Sequence, residues 1–387
     1  MTVRKIGLEE ELMLIDPATG ALTAVSQKAV RAHQQQGLDQ VALGVGIASA
    51  EPGVEEELFL QQIETATPPC HQMNELAEEV RRARRVIGQA AHDAGGAAVA
   101  MPTAILVEDQ ANFTPKPRYQ QIYEGYGELA EQSLACAMHM HVDISDQAEG
   151  IAVIDRIRPW LPVLSAISAN SPYWRGRSTG YASWRAQVWT RWPSSGSAEP
   201  FGDVSTYRET ADRLVEWGAA LDDGMLYFDA RLSEKYPTVE IRVADVCTEI
   251  EDAVLVAALG RALVETAATE HAAGVDAPVW RSDLLRAASW RASRFGTSGQ
   301  LVDPQHQQLA PVRDVFASLT GYVAEALDEA GDRELVESLF ERLISGGNGA
   351  IRQRRVFEKE RSLEAVVMDL QQRTEQSWKP GGTWVSG

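Results

Sequence analysis

The stretch Ile6-Gly7-Leu8-Glu9-Glu10-Glu11-Leu12-Met13-Leu14 puts three carboxylates inside what otherwise reads as a buried β-strand. Strand side chains alternate between faces. Ile6, Leu8, Leu12 and Leu14 therefore share one face, and Glu9 and Glu11 share the other. Two carboxylates on one sheet face repel each other and resist removal from water. A hard divalent cation, which prefers oxygen ligands, relieves both problems. A solvated polar side of an edge strand is the alternative. Glu10 suits neither, because it falls on the apolar face.

Three further segments repeat the design. Gln62-Ile63-Glu64-Thr65-Ala66 reads as a strand stopped by Pro68-Pro69, with Glu64 inside it and Glu57 just upstream. From Ala135 to Ser145 the alternation places Cys136, Met138, Met140, Val142 and Ile144 on an apolar face. Ala137, His139, His141 and Asp143 share the other, and histidines at i, i+2 can reach one ligand. In Thr238-Val239-Glu240-Ile241-Arg242-Val243-Ala244-Asp245, Val239, Ile241 and Val243 face a core while Glu240 and Arg242 point opposite. Together these strands describe an antiparallel sheet with one face on helices and one lining a cleft rich in Glu, His and Arg. Such a cleft suits phosphate and divalent-metal chemistry.

The elements that must carry these residues fit one chain-long domain, residues 1–387. Apolar content of 44% allows a sizeable core. No apolar run approaches the ~20 residues of a membrane-spanning helix, and no signal peptide precedes the first strand. Cys70, Cys136 and Cys247 are widely spaced and odd in number, which suggests neither disulfides nor zinc and points to a reducing cytoplasm. With 36 Lys+Arg against 55 Asp+Glu the net charge is −19, which argues against nucleic acid and anionic membranes as partners. An anionic nucleotide needs only a local basic patch and metal ions.

Helices are expected over Met73 to Ala94, closed by Gly95-Gly96, and from a capping box at Thr248-Glu249-Ile250-Glu251 through about His271. Others follow at Val312 to Ala330, Arg333 to Ser345 and Ser362 to Gln376. The mixture is an α+β pattern. Between Tyr181 and Pro193, three tryptophans and two arginines read as aromatics packed under Arg stems. Ser194-Ser195-Gly196-Ser197 reads as a flexible loop able to close over a ligand. The segment Ser345 to Arg355 is Gly-rich and then basic, without a P-loop ending. It is either a solvated turn or an anion site.

In this order, the segments resemble the type 2 glutamate–cysteine ligases, or carboxylate–amine ligases, of the glutamine-synthetase-like superfamily. The carriers are Gly7 through Glu11, Glu57 through Thr67, His139-Met140-His141-Val142, and Tyr181 through Arg185. Val239 through Asp245, running on to Glu251-Asp252-Ala253-Val254, and Gly349 through Arg354 are the most specific. The resemblance implies a curved antiparallel sheet of about six strands with helices on its convex face, and ATP with Mg²⁺ or Mn²⁺ on its concave face. By that match, Glu9, Glu11, Glu57, Glu64, His139 and Glu240 are metal ligands. Arg242 contacts the phosphoryl group in transfer, and Arg185 is a substrate or phosphate arginine. His141, Arg352 and Arg354 belong to the nucleotide. Small-molecule acid and amine substrates and a homodimer are implied as well. Asp143, in place of a small residue, and Ile351, in place of an acidic one, depart from the pattern.

The chemistry implied is ATP-dependent amide formation, by default between the γ-carboxylate of glutamate and the amine of cysteine. The carboxylate attacks the γ-phosphorus to give an acyl phosphate, which the amine then opens. No nucleophilic side chain is required, in keeping with the lack of a Cys/His or Ser/His motif. The alternatives are a phosphotransferase that stops at phosphoryl transfer and a non-catalytic sensor of nucleotide and amino acid. A histidine-rich metal hydrolase fits poorly with so many carboxylates.

Overall fold

The structure is a computed structural model that describes residues 3–42, 53–106 and 111–379. The strands are β1 (Ile6–Ile15), β2 (Val54–Glu56), β3 (Gln62–Ala66), β4 (Ala97–Val99) and β5 (Ala137–Asp143), then a short hairpin of β6 (Tyr173–Trp174) and β7 (Arg177–Ser178), then β8 (Ala230–Leu232) and β9 (Thr238–Asp245). The main sheet is antiparallel in the order β2-β3-β1-β5-β9-β8, with β4 added beside the end of β1. It has seven strands, where the resemblance implied about six; β4 is the extra one, too short to stand out from sequence.

One face of this sheet is dry. Ile6 and Leu8 of β1, Met138, Met140 and Val142 of β5, and Val239 and Ile241 of β9 are buried together. They pack against the helix Ile250–Ala272, which is apolar nearly all round and therefore buried along most of its length. Gly260 lets that helix approach β5: a Cβ there would stand 3.1 Å from the Met140 sulfur. The helices Met73–Asp93, Gln147–Ile157 and Leu161–Ser168 flank it.

Several local expectations shift. The helix at 250 begins without a capping box, because Glu249 is the N-cap and caps nothing. The Thr248 hydroxyl instead donates to the Ala100 carbonyl (3.1 Å) and accepts from the Asn170 amide (3.0 Å). The helix expected from Val312 to Ala330 breaks at Val323 into Val312–Tyr322 and Ala324–Ala330. Ser362 caps Leu363–Gln376 by accepting from the Ala365 N–H. Most consequential is a bulge in the β5–β9 ladder, where Met138 pairs with Ala244 but Met140 pairs with Ile241. Two residues of β9, Arg242 and Val243, thus oppose the single residue His139. Val243 therefore leaves the core row assigned to it above, and Ala244 takes that place at full burial.

Candidate active site

The open face of the sheet collects the polar side chains in rows. Glu9 of β1 pairs with His139 of β5, and Glu11 pairs with Glu64 of β3. His141 pairs with Glu240 of β9, which pairs with Arg231 of β8. Gly7, the residue of β1 beside His141, adds no side chain to that row.

The rows bring oxygen and nitrogen atoms into reach of one another. His141 Nε2 lies 3.2 Å from Glu9 Oε1, while His139 Nδ1 lies 3.5 Å from Glu9 Oε2 and 3.7 Å from Glu240 Oε1. One ligand atom each from Glu9, His141 and Glu240 fall within 4.8 Å of one another, close enough to hold a single cation. His141 is oriented from behind by Thr238, whose hydroxyl is 3.0 Å from Nδ1, as ligating imidazoles commonly are. Burial, then the Arg242 guanidinium, pull His139 down to about 4, so the ring is neutral near pH 7 and free to ligate.

Beside this trio sits a carboxylate-only cluster. Burial and then the Glu57 carboxylate push Glu11 up to about 8. Burial, Glu57 and Glu9 push Glu64 up as well. Glu11 accepts from the Ala137 N–H at 2.8 Å, and the Glu57 side chain accepts from the Leu58 N–H at 3.0 Å. Such a group of like charges holds protons in place of a cation, which is the donor set a hard divalent ion requires. The residues present therefore fit Mg²⁺ or Mn²⁺.

Glu240 behaves differently. Burial pushes its carboxyl up, but Arg242 and Arg231 more than reverse this and hold it well below the usual carboxylate range. Arg242 donates to Glu240 Oε1, and Arg231 grips both oxygens at 2.7 and 3.2 Å. Arg242 and Glu240 are only 7% and 2% exposed, so their pairing is no surface contact. Arg231 was not anticipated from sequence; the alternation Ala230-Arg231-Leu232 was its only signal.

Arg185 is also buried. Its guanidinium donates to the Arg242 carbonyl (3.0 Å) and the Val243 carbonyl (3.3 Å), at the bulge. Its helix, Trp184–Trp189, is capped by Ser183, and Asp245 ties the region down. The Asp245 carboxylate accepts from Ser171 Oγ (2.7 Å), Ser183 Oγ (2.8 Å) and the Asn170 N–H (2.8 Å). Arg352 and Arg354 lie elsewhere. Arg352 pairs with Asp252 and donates to the Gly347 carbonyl, and Arg354 donates to the Tyr181 carbonyl at 2.7 Å. Glu10 turns out to be a buried ion pair: Arg84 grips it at 2.6 and 2.8 Å and donates onward to the Cys247 and Thr248 carbonyls.

Comparison with known proteins points one way. The profile of glutamate–cysteine ligase family 2 matches residues 5–373. A Nocardioides protein provisionally named glutamate–cysteine ligase 2-1 is 48% identical over 97% of both chains. A Streptomyces coelicolor protein provisionally named glutamate–cysteine ligase 2 is 43% identical, over 96% of this chain and 99% of its own. Among solved structures, the glutamate–cysteine ligase of Francisella tularensis in complex with AMP superimposes with a TM-score of 0.66. Its identity is 11%, and 99% of this chain and 90% of that one are covered. A bifunctional glutathione synthetase of Pasteurella multocida gives 0.66 at 13% identity, over 97% of this chain and 53% of that one. At such identities these two establish the fold alone.

Proposed function

The chain belongs to glutamate–cysteine ligase family 2, an ATP-dependent carboxylate–amine ligase of that type, and from that premise we propose that it works through an acyl phosphate. A substrate carboxylate oxygen attacks the γ-phosphorus of ATP, and the bond to ADP breaks. The amine nitrogen then attacks the acyl carbon, the carbon–oxygen bond to phosphate breaks, and the nitrogen loses a proton. Glutamate and cysteine are the default pair.

What carries the reading is the convergence of Glu9, His139, His141 and Glu240 beside Arg242 on one sheet face. Glu9 and Glu240 would hold one divalent ion with His141, whose ligand atom converges with theirs, or with His139, and Glu11, Glu57 and Glu64 would hold another. Such ions, when bound, neutralise phosphate charge and draw the anionic reactants together. Arg242 offers a planar fork of donors to the phosphoryl group as charge spreads over its oxygens. Arg231 keeps Glu240 aligned while Arg242 turns to the substrate. Arg185, fixed on the bulge carbonyls, places positive charge toward the reacting acid. His141 is proposed to lie at the nucleotide. Arg352 would have to give up Asp252 to join it, and Arg354 only the Tyr181 carbonyl.

We also propose one ligase domain over residues 1–387, working as a homodimer in the cytoplasm. The buried free thiols of Cys70, Cys136 and Cys247 suit a reducing compartment. Among the described residues, no helix is long and apolar enough to cross a membrane. The decisive experiment is a screen of acids against amines with Mg²⁺ and ATP, reading ADP and product mass. Phosphate release that requires the amine, with an amide product, supports the ligase reading. Phosphorylated acid accumulating regardless of amine marks a phosphotransferase, and nucleotide binding without turnover marks a sensor.

A further inference from the structure

A cavity of about 690 Å³ lies beside the site. It runs from Arg242 and Val243, at the β9 bulge, past the helix Trp184–Trp189 and the residues after it to Trp192, and past the segment Ser195–Ser197, to Ser282 and Trp290. None of Glu9, Glu11, Glu57, Glu64 or Glu240 lines it. It is a side chamber that meets the reaction centre at Arg242, and not the metal-binding face itself.

Its chemistry is lopsided. In the residues that line it, Nε of Arg185, Nε of Arg242, the indole N–H of Trp189 and of Trp192, and the hydroxyls of Ser197 and Ser282 are buried and find no partner among the described residues. Buried donors without acceptors are costly in a folded protein. Four of these six, the two guanidinium Nε–H groups and the two indole N–H groups, can only donate, so the chamber favours an acceptor-rich, anionic ligand. Two carboxylates also line it: Asp283, paired with Arg281 at 2.7 Å, and Asp229, whose side chain hydrogen-bonds no described residue. The remaining wall is aromatic: the Trp189 and Trp192 rings pack on Tyr227 at 4.8 and 5.4 Å between centroids, and Phe228 and Trp290 extend the surface.

An anion-accepting wall, one carboxylate outside any ion pair and a broad aromatic surface describe an amino acid with a bulky side chain. Chambers of this volume hold drug-sized ligands, well beyond a three-carbon amino acid. The acid substrate must reach the metal-binding carboxylates, which this chamber lacks; the amine need only reach the acyl carbon next to Arg242. We propose that the chamber seats the amine substrate, and that this amine is an α-amino acid with an aromatic side chain, its carboxylate on the unpartnered donors and its ammonium on Asp229. The proposal rests on the ligase reading.

The test keeps the two apart by using hydroxylamine, a small nucleophile that needs no chamber. With Mg²⁺, ATP and whichever acid yields a hydroxamate, phenylalanine, tyrosine and tryptophan are compared with alanine and cysteine as amines. The expected result is a kcat/KM at least ten-fold higher for an aromatic amino acid. Asp229→Asn should then lower kcat/KM for that amino acid at least ten-fold more than for hydroxylamine. Folding of the variant is checked by circular dichroism, and Asp229→Glu should recover part of the selectivity. A hydroxamate formed alongside equal or better use of cysteine or alanine overturns the chamber assignment and leaves the ligase reading standing. Equal losses for the amino acid and hydroxylamine overturn the role of Asp229. No hydroxamate with any acid overturns the ligase reading, and this inference with it.

Discussion

At Arg242 two accounts of the same side chain diverge. An exposed Glu240–Arg242 pair would contribute ~0–1 kcal/mol, and Arg242→Lys would be nearly silent. Instead both residues are buried, and Arg231 holds Glu240 from the other side. Lysine keeps the charge next to Glu240 but loses the fork that matches a phosphoryl group. Arg242→Lys should lower turnover by about two orders of magnitude or more, the scale of losing a transition-state contact, with Tm changed little because Arg231 remains. ADP and amide should fall together. ADP production that survives while the amide disappears would place Arg242 in the second step. Glu240→Gln is harsher. It leaves the buried Arg242 and the half-buried Arg231 without their counter-charge, a change that costs about 3–5 kcal/mol where a buried pair is broken. Urea unfolding should show that loss alongside the drop in turnover, and an unchanged midpoint would mean the arginines find other acceptors.

The elements were legible where side-chain period and burial agree. β1, β3 and β5 follow their alternation, and the row Glu9, His139, His141 and Glu240 assembles as the apolar faces dictate. What escaped was whatever depends on pairing between strands. The bulge at Arg242–Val243 is a property of two ladders meeting, so an alternating reading of β9 alone misplaces Val243. Glu10 is a similar case. Its partner Arg84 sits 74 positions away on the helix Met73–Asp93, and no local pattern joins them. This pair, fully buried, ties β1 between two site carboxylates to the carbonyls that follow β9. Arg84→Met strands the Glu10 charge and should destabilise by about 3–5 kcal/mol, whereas the double change Glu10→Leu with Arg84→Met should recover most of it. Denaturant midpoints of the three proteins decide the matter. A double variant as weak as the single would show that the carbonyl contacts, not the ion pair, hold this junction.

Over the whole molecule, stability, protons and metal are one linked quantity. The folded protein keeps protons on Glu11, pushed up to about 8, and on Glu64, while an unfolded chain releases them near 4.5. Wherever the folded state binds the extra protons, stability falls as pH rises. His139 has the opposite sign: its folded value of about 4 lies below its unfolded 6.5, so it favours folding more as pH climbs between those points. Asp229, pushed by burial to about 6, acts in the same sense as Glu11 but is exhausted above that pH. The clean window is therefore pH 6.5 to 8, where the buried carboxyls dominate this site. In EDTA, Tm should decline across the window. With millimolar Mg²⁺ or Mn²⁺ the ion replaces the protons, binds more tightly as pH rises, and stabilises the folded state by mass action. The Tm gain on adding metal should therefore grow from pH 6.5 to 8, with proton release measurable in weakly buffered calorimetry. A gain that is flat with pH would remove Glu11 and Glu64 from the metal site, leaving only the imidazoles and the carboxylates of Glu9 and Glu240 to hold the ion.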